Sequence, residues 1–449
     1  MHTIEHMGED IRAKLRRLGV VRGPRNIKSP PRPPPSVERS PFSEEGSQEP
    51  PARDGKPRGL KLLLPGGKLA RSDYGACFVL DSVYPLTAPH GSGRLDDMSP
   101  ASLETAAIFS KDRRLAGMRP ENFLFLDTET TGLGGAGTLA FMVGVAFFEG
   151  DALLARQFFL RDHADEAAML ALLADLLAER PGLITFNGRS FDLPLLDNRY
   201  LMQRMDGLAG DLLDRPHVDL LPPSRRLWRR RLASCSLSSL EQHVLALPRT
   251  HEDVPGWAIP ALYMAYLRDG DAGDMLRVFY HNRMDLLSMV VLTAHIARQF
   301  ADPVPDDNPL DLLSLARWQL ALGMPAEAER TLRLVAEQDA PLEVYHQSLL
   351  DLALLLKRAG RREEALPLWQ QVAVTTFDDV AAHVELAKHY EWQSQDLLAA
   401  KSWTTRALEL IGNSRSVAAT VWQEELEHRL ARLERKLASG GSLSEAEEE

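Results

Sequence analysis

Cysteine is nearly absent: Cys77 and Cys235 are the two in 449 residues. They stand too far apart in sequence for a zinc cluster or a disulfide scaffold, so a reducing, cytoplasmic setting is expected. No stretch of ~18 uninterrupted apolar residues occurs, so no membrane span is expected. The start, MHTIEHMGEDIRAKLRRLG, lacks an apolar core segment, which argues against a secretory signal. Positive charge is in deficit as well. Lys plus Arg number 52 against 63 Asp plus Glu, a formal charge of −11. That excludes a binder that works by bulk basicity and leaves room for a local basic groove on a nucleic-acid enzyme.

What is present is ordinary for a globular chain, with 44% hydrophobic and 26% charged residues. At roughly 150 residues per domain the length predicts two or three domains. Residues 1–58 open with a short basic segment and become rich in Pro, Arg, Ser and Glu, with the run Pro30 to Pro35. Such a segment buries too little apolar surface to offset its ordering entropy and reads as a disordered arm. Residues 59–120 regain mixed composition and read as an N-terminal extension packed on the next domain. A strand is predicted at Cys77–Leu80 and a helix at Ser99–Phe109.

Residues 121–302 alternate strand and helix signals. Strands are predicted at Phe123–Leu126, Leu139–Phe148, Arg156–Leu160, Leu183–Phe186 and Val218–Leu221. Helices are predicted at Glu166–Ala178, Phe191–Met202, Ser236–Leu245, Ile259–Leu267 and Gly273–Arg298. The first three strands, joined by short turns, read as antiparallel, and the later two, set between helices, as parallel. The expectation is an α/β fold with a mixed five-stranded sheet and flanking helices. Residues 310–435 carry no strand signal. Gly323-x4-Ala328 recurs as Gly360-x4-Ala365 and, with Gln for Gly, as Gln395-x4-Ala400, spacings of 37 and 35 residues. That approaches the ~34-residue tetratricopeptide period and predicts an all-α domain of stacked helical hairpins. Residues 436–449 read as an acidic, disordered tail.

Three segments carry chemistry. In FLFLDTETTGLG a buried strand runs into Asp127 and Glu129, whose i, i+2 spacing turns both side chains to one face. A bare pair of this kind also fits an exposed turn. Two converging carboxylates repel each other unless a cation lies between them, and a hard divalent ion meets that need. In ITFNGRSFD a strand ends at Asn187, Ser190 is placed to cap the next helix, and Asp192 falls in its first turn. In YHNRMDLL, on an apolar helix, His281 and Asp285 stand one turn apart on one face. A buried Asp there is costly unless paired or metal-bound, and the His is placed to act as a general base. Taken alone, the last two segments also fit a helix-capping acid and a buried His–Asp pair. Together they supply four carboxylates and a base, which is what two-metal phosphodiester cleavage requires, the ions ~3.5–4 Å apart.

The order DxE, NGxxFD and a late helical Asp with a His upstream resembles the DEDD 3′–5′ exonuclease superfamily of the ribonuclease-H-like fold. RRLWRRRLASCSLSSLE at 225–241, DVPGWAIPALYMAYLRDGD at 253–271 and HNRMDLLSM at 281–289 resemble its YprB-like bacterial branch. The resemblance covers roughly residues 60–300. It implies that Asp127, Glu129, Asp192 and Asp285 hold two Mg²⁺ or Mn²⁺ ions and that digestion runs from a 3′ end. A single-stranded end is expected because splaying out its terminal nucleotide needs less unpairing. In such enzymes the base is a Tyr four residues before the last Asp or a His five before it. Here the identities are exchanged: His281 is four before Asp285 and Tyr280 five. The i, i+4 geometry and near-neutral titration favour His281. Thr130, Asn187 and the basic run Arg225, Arg226, Arg229 and Arg230 are expected to contact nucleic acid, the run as a phosphate rim; a solvated helix end is the alternative. Trp228 reads as core or as a base-stacking ring, and Asp219 as an extra acid or a cap. The helical repeats are expected to seat a protein partner or to cap the nuclease domain. The rival expectation is an inactive exonuclease fold serving as a nucleic-acid-binding scaffold. A structure-specific endonuclease would use the same metals.

Overall fold

Residues 58–132, 137–205, 207–375, 380–412 and 417–444 are described in the computed structural model. The expectations for residues 1–57, for the end of the acidic tail and for the last part of the DTETTGLG string lie outside them.

The strands form a seven-stranded mixed sheet rather than the expected five. After the single turn α1 (Leu60–Leu63), β1 (Lys68–Ser72) and β2 (Gly75–Pro85) make a hairpin. A two-stranded hairpin, β3 (Pro89–His90) and β4 (Gly93–Arg94), precedes α2 (Pro100–Ser110). Then come β5 (Phe123–Thr130), β6 (Ala140–Glu149), β7 (Ala152–Phe159), α3 (Glu166–Glu179), β8 (Gly182–Thr185), α4 (Asp192–Met202) and β9 (His217–Asp219). The sheet order is β1-β2-β7-β6-β5-β8-β9. Pairing is antiparallel from β1 to β5 and parallel for β5–β8 and β8–β9. The two additional strands come from the N-terminal extension, because β2 pairs with β7 from Phe78 opposite Phe159 to Pro85 opposite Ala152. The extension is therefore an edge of the sheet.

The run FLFL is buried on both faces, as a central strand requires. Phe123 and Phe125 enter one hydrophobic core, and Leu124 and Leu126 enter the other. The chain continues through α5 (Leu221–Trp228), α6 (Leu237–His243), α7 (Ile259–Asp269) and the long α8 (Met275–Ala301). Helix α8 passes from one core to the other. Met275, Val278 and Phe279 belong to the core of Leu124, and residues from Leu286 onward to that of Phe125. The polar residues His281, Asn282 and Asp285 sit at the crossing.

Among the described residues the helical region has three hairpins: α9 (Pro309–Ala321) with α10 (Pro325–Glu337), α11 (Leu342–Arg358) with α12 (Arg362–Thr375), and α13 (Val380–Trp392) with α14 (Leu397–Gly412). The recurring sequence position explains each turn. Gly323, Gly360 and Gln395 have φ of 78°, 79° and 54°, left-handed values that close the hairpin. Ala328, Ala365 and Ala400, five residues on, are fully buried. A last helix, α15 (Val417–Ser444), continues through residues 436–444, where the sequence predicts a disordered tail. It is fastened to α13 by the buried Glu391, which accepts from Arg429, Arg432 and Lys436. One continuous core joins the first two hairpins to the sheet through Leu227, Trp228 and Trp318. Among the described residues no helix is long and apolar enough to cross a membrane.

Candidate active site

The acids converge at the end of β5. Thr128, between Asp127 and Glu129, donates from Oγ1 to Asp192 Oδ1 at 2.5 Å, tying the start of α4 to the strand. Helix α8 arrives from the other side. His281 Nε2 lies 4.0 Å from Glu129 Oε1 and 3.6 Å from Asp285 Oδ2. Asn282 donates from Nδ2 to Asp127 Oδ2 at 2.8 Å. The four acids and the imidazole predicted from sequence therefore share one site. Tyr280 does not join them: its hydroxyl accepts from Thr250 Oγ1 at 3.2 Å.

Crowding is visible in the ionisation of the group. Burial and the charges of Asp285 and Asp192 hold the Asp127 carboxyl well above the usual carboxylate range. Burial and the charges of Asp127, Asp285 and Asp192 do the same to Glu129. Burial pushes Asp192 up to about 6, against the hydrogen bond from Thr128. Burial is the largest cause in all three, and neighbouring carboxylates outnumber Arg249, the cation beside them.

Two supporting networks escaped the sequence reading. Gly144 faces Asp127 on β6, and a Cβ there would overlap the amide of Asn282. Asn282 occupies that space and accepts at Oδ1 from Gln157 Nε2 at 2.9 Å, which also donates to the Phe279 carbonyl at 2.8 Å. The amide nitrogen is thereby aimed at Asp127. The second network comes from the loop before α7. Asp253 Oδ1 lies 2.7 Å from His281 Nδ1. Arg249 binds Glu241 at 2.5 Å, Asp253 Oδ2 at 3.0 Å and Asp285 Oδ1 at 2.6 Å, and its Nη1 is 2.8 Å from the same His281 nitrogen. Nδ1 cannot donate to Asp253 and accept from Arg249 at once. Arg249 is already paired with three carboxylates, so Nδ1–H is assigned to Asp253 and Nε2 faces the acids. Burial pulls the His281 pKa down, but the hydrogen bond to Asp253 and the charge of Asp285 outweigh it and the net shift is upward. No periodic signal marks Arg249, and nothing within the string DVPGWAIPALYMAYLRDGD singles out Asp253, its first residue.

Of the remaining predicted residues, Thr130 is buried and donates to the Gly132 carbonyl at 2.8 Å, shaping the turn after β5. Asn187 is exposed, with φ of 68°. Ser190 does not cap α4, whose N-cap is Phe191 with no side-chain bond. Asp219 holds that loop instead, accepting from the backbone N–H groups of Asn187, Arg189 and Leu221. Arg225, Arg226, Arg229 and Arg230 are all exposed. Arg226 stands 5.9 Å over the Trp318 ring and Arg230 donates to Gln347 at 2.8 Å, both toward the helical hairpins. Arg231 pairs with the buried Asp311 at 2.9 Å. Trp228 is fully buried.

Residues 124–297 match the RNase_H superfamily. The chain is also 31% identical over 373 residues to the protein of Bacillus subtilis (strain 168) named "Uncharacterized protein YprB", a match spanning 81% of this chain and 87% of that one. The chain belongs to the YprB family. Its α/β half is thus an RNase H-like domain, of a superfamily associated with nucleic-acid hydrolysis, and the YprB match extends well beyond that domain.

Divalent metals are typical of RNase H-like nucleases, and the donors here fit a hard cation: carboxylate oxygens, mutually repelling and short of positive charge. Among the described residues no set of three His, Cys, Asp or Glu side chains is already arranged to hold an ion. Asp285 is engaged by Arg249, Asp192 by Thr128 and Asp127 by Asn282.

Proposed function

We propose that this protein is a metal-dependent 3′–5′ exonuclease of the DEDD type, acting on single-stranded DNA or RNA. The convergence of Asp127, Glu129, Asp192, Asp285 and His281 at one sheet end carries the reading. The four acids would hold two Mg²⁺ or Mn²⁺ ions, which supply charge for an activated water and for the leaving oxygen. His281, with Nδ1–H donated to Asp253, presents Nε2 as the base that accepts the water's proton. Asn282 and Thr128 keep Asp127 and Asp192 oriented. Arg225, Arg226, Arg229 and Arg230, solvent-exposed on and just after α5, are the rim that would meet phosphate. A single strand fits best because extruding its terminal nucleotide needs no unpairing. The hairpins are read as tetratricopeptide-like repeats of 310–435 that seat a protein partner, and the setting as cytoplasmic.

A second reading, an inactive exonuclease fold used as a binding scaffold, is favoured by one observation: Arg249 already neutralises Asp285. A gel assay separates the two. Single-stranded DNA and RNA labelled at the 5′ end are incubated with Mn²⁺, Mg²⁺ or EDTA and wild type, Asp127→Ala or His281→Ala. A metal-dependent ladder shortening from the 3′ end and lost in Asp127→Ala supports the enzyme. Binding without any product supports the scaffold.

A further inference from the structure

Trp257 breaks the burial pattern of this chain. Its side chain is 86% exposed, the most of any large hydrophobic residue among those described, while Trp228 and Trp369 are buried. Among the described residues no aromatic ring pairs with it. Its position is not arbitrary. It sits in the turn Gly256–Ala258, and a Cβ on Gly256 would lie 3.9 Å from His281 Nε2. The turn therefore passes directly beside the imidazole face that meets the acids.

Trp257, His281 and Asp285 line one open cleft of about 600 Å³, with the hydroxyl residues Ser238 and Thr250 on its walls. That volume falls within the roughly 300–1,000 Å³ range of small-ligand clefts. The cation in the cleft, Arg249, is committed to Glu241, Asp253 and Asp285. The cleft thus offers a flat aromatic face beside the carboxylates of Asp253 and Asp285, which suits a nucleobase better than a phosphate. Stacking on such a face tolerates any base, because every base has one.

We propose that Trp257 is the platform on which the terminal nucleobase of a single strand stacks, setting the adjacent phosphodiester before the acids and His281. This rests on the nuclease reading above. It assigns that site a preference for an unpaired end, with little sequence selectivity.

The test uses the full chain carrying Asp127→Asn, in calcium, so that the strand stays intact. Single-stranded DNA and RNA oligonucleotides carry 2-aminopurine at the 3′ terminus or at an internal position, with a fluorescein at the 5′ end. Fluorescein anisotropy reports binding, and 2-aminopurine quenching reports stacking. The expected result is quenching at the terminal position, weak quenching inside, and about tenfold weaker binding with lost quenching in Trp257→Ala. Trp257→Phe should retain most of both signals. Unchanged terminal quenching in Trp257→Ala, or equal quenching inside, overturns the platform while leaving the nuclease reading intact. Absence of any oligonucleotide binding sinks both. Circular dichroism of each variant shows whether the fold is kept.

Discussion

His281 Nδ1 and Asp253 Oδ1 lie 2.7 Å apart, although 28 residues separate the two, and the proton between them is assigned to Nδ1. The carboxylate fixes the ring's tautomer and leaves Nε2 toward the acids. His281→Ala should lower kcat by about 10²–10⁴-fold, the range of a lost general base. Asp253→Asn should cost less, and the double variant should fall no lower than His281→Ala, because the two act as one unit. Single-turnover rates of the three variants check this. Additive losses would mean that Asp253 acts on something other than the ring.

Gly144 and Asn282 form a second coupled pair, one that stability measurements can read without any assay of activity. Gly144→Ala puts a methyl group where the Asn282 amide lies and should cost about 1–3 kcal/mol. In an Asn282→Ala background the space is empty, so the same change should cost much less. Urea unfolding of the four-member cycle gives the interaction energy directly. A purely additive cycle would contradict the packing described.

Arg231 and Asp311 join α5 to the first helical hairpin. Asp311 keeps 4% of its side-chain surface and Arg231 keeps 25%. Arg231→Met strands a buried carboxylate and should destabilise by an amount near the lower end of the roughly 3–5 kcal/mol seen for broken buried pairs. Adding Asp311→Leu should recover most of that loss. Thermal melts of the single and double variants decide it, and an unrecovered double variant would show that the pair is not the contact that matters.

His217 supplies a pH signature away from the acids. It is 2% exposed, its Nε2 is 2.9 Å from Thr185 Oγ1, and burial lowers its pKa to about 4. Because the folded pKa lies below the unfolded value, the unfolded chain binds more protons between them. Its contribution is complete above pH ~6.5 and is lost as pH falls toward 4, by about 3 kcal/mol over that window. His217→Gln keeps a polar partner for Thr185 but does not titrate. Its stability should depend on pH less steeply between those limits than wild type does. Parallel pH profiles would place the titration elsewhere.

The legible parts of this chain are local. An apolar run ending in Asp127 and Glu129, a His and an Asp one turn apart on an apolar helix, and a Gly or Gln repeating at each hairpin turn all write their geometry into neighbouring residues. The site was legible as far as its acids and its imidazole. The parts that were not legible depend on distant pairing. The β1–β2 hairpin joins the sheet through β7, some eighty residues on, and only Cys77–Leu80 of it carries a clear strand pattern. Arg249 and Asp253 lie in an irregular loop, where no period directs attention to a side chain. Charge alone does not reveal that Arg226, Arg230 and Arg231 also contact the helical hairpins.

Manganese binding by the full chain, followed by isothermal titration calorimetry with electron paramagnetic resonance counting the bound ions, tests the central claim most directly. The account predicts two Mn²⁺ per chain, fewer in Asp192→Asn and a large loss in Asp127→Asn, with a rise in melting temperature that is largest in wild type and smallest in Asp127→Asn. No saturable binding, or binding that Asp127→Asn leaves unchanged, would contradict it.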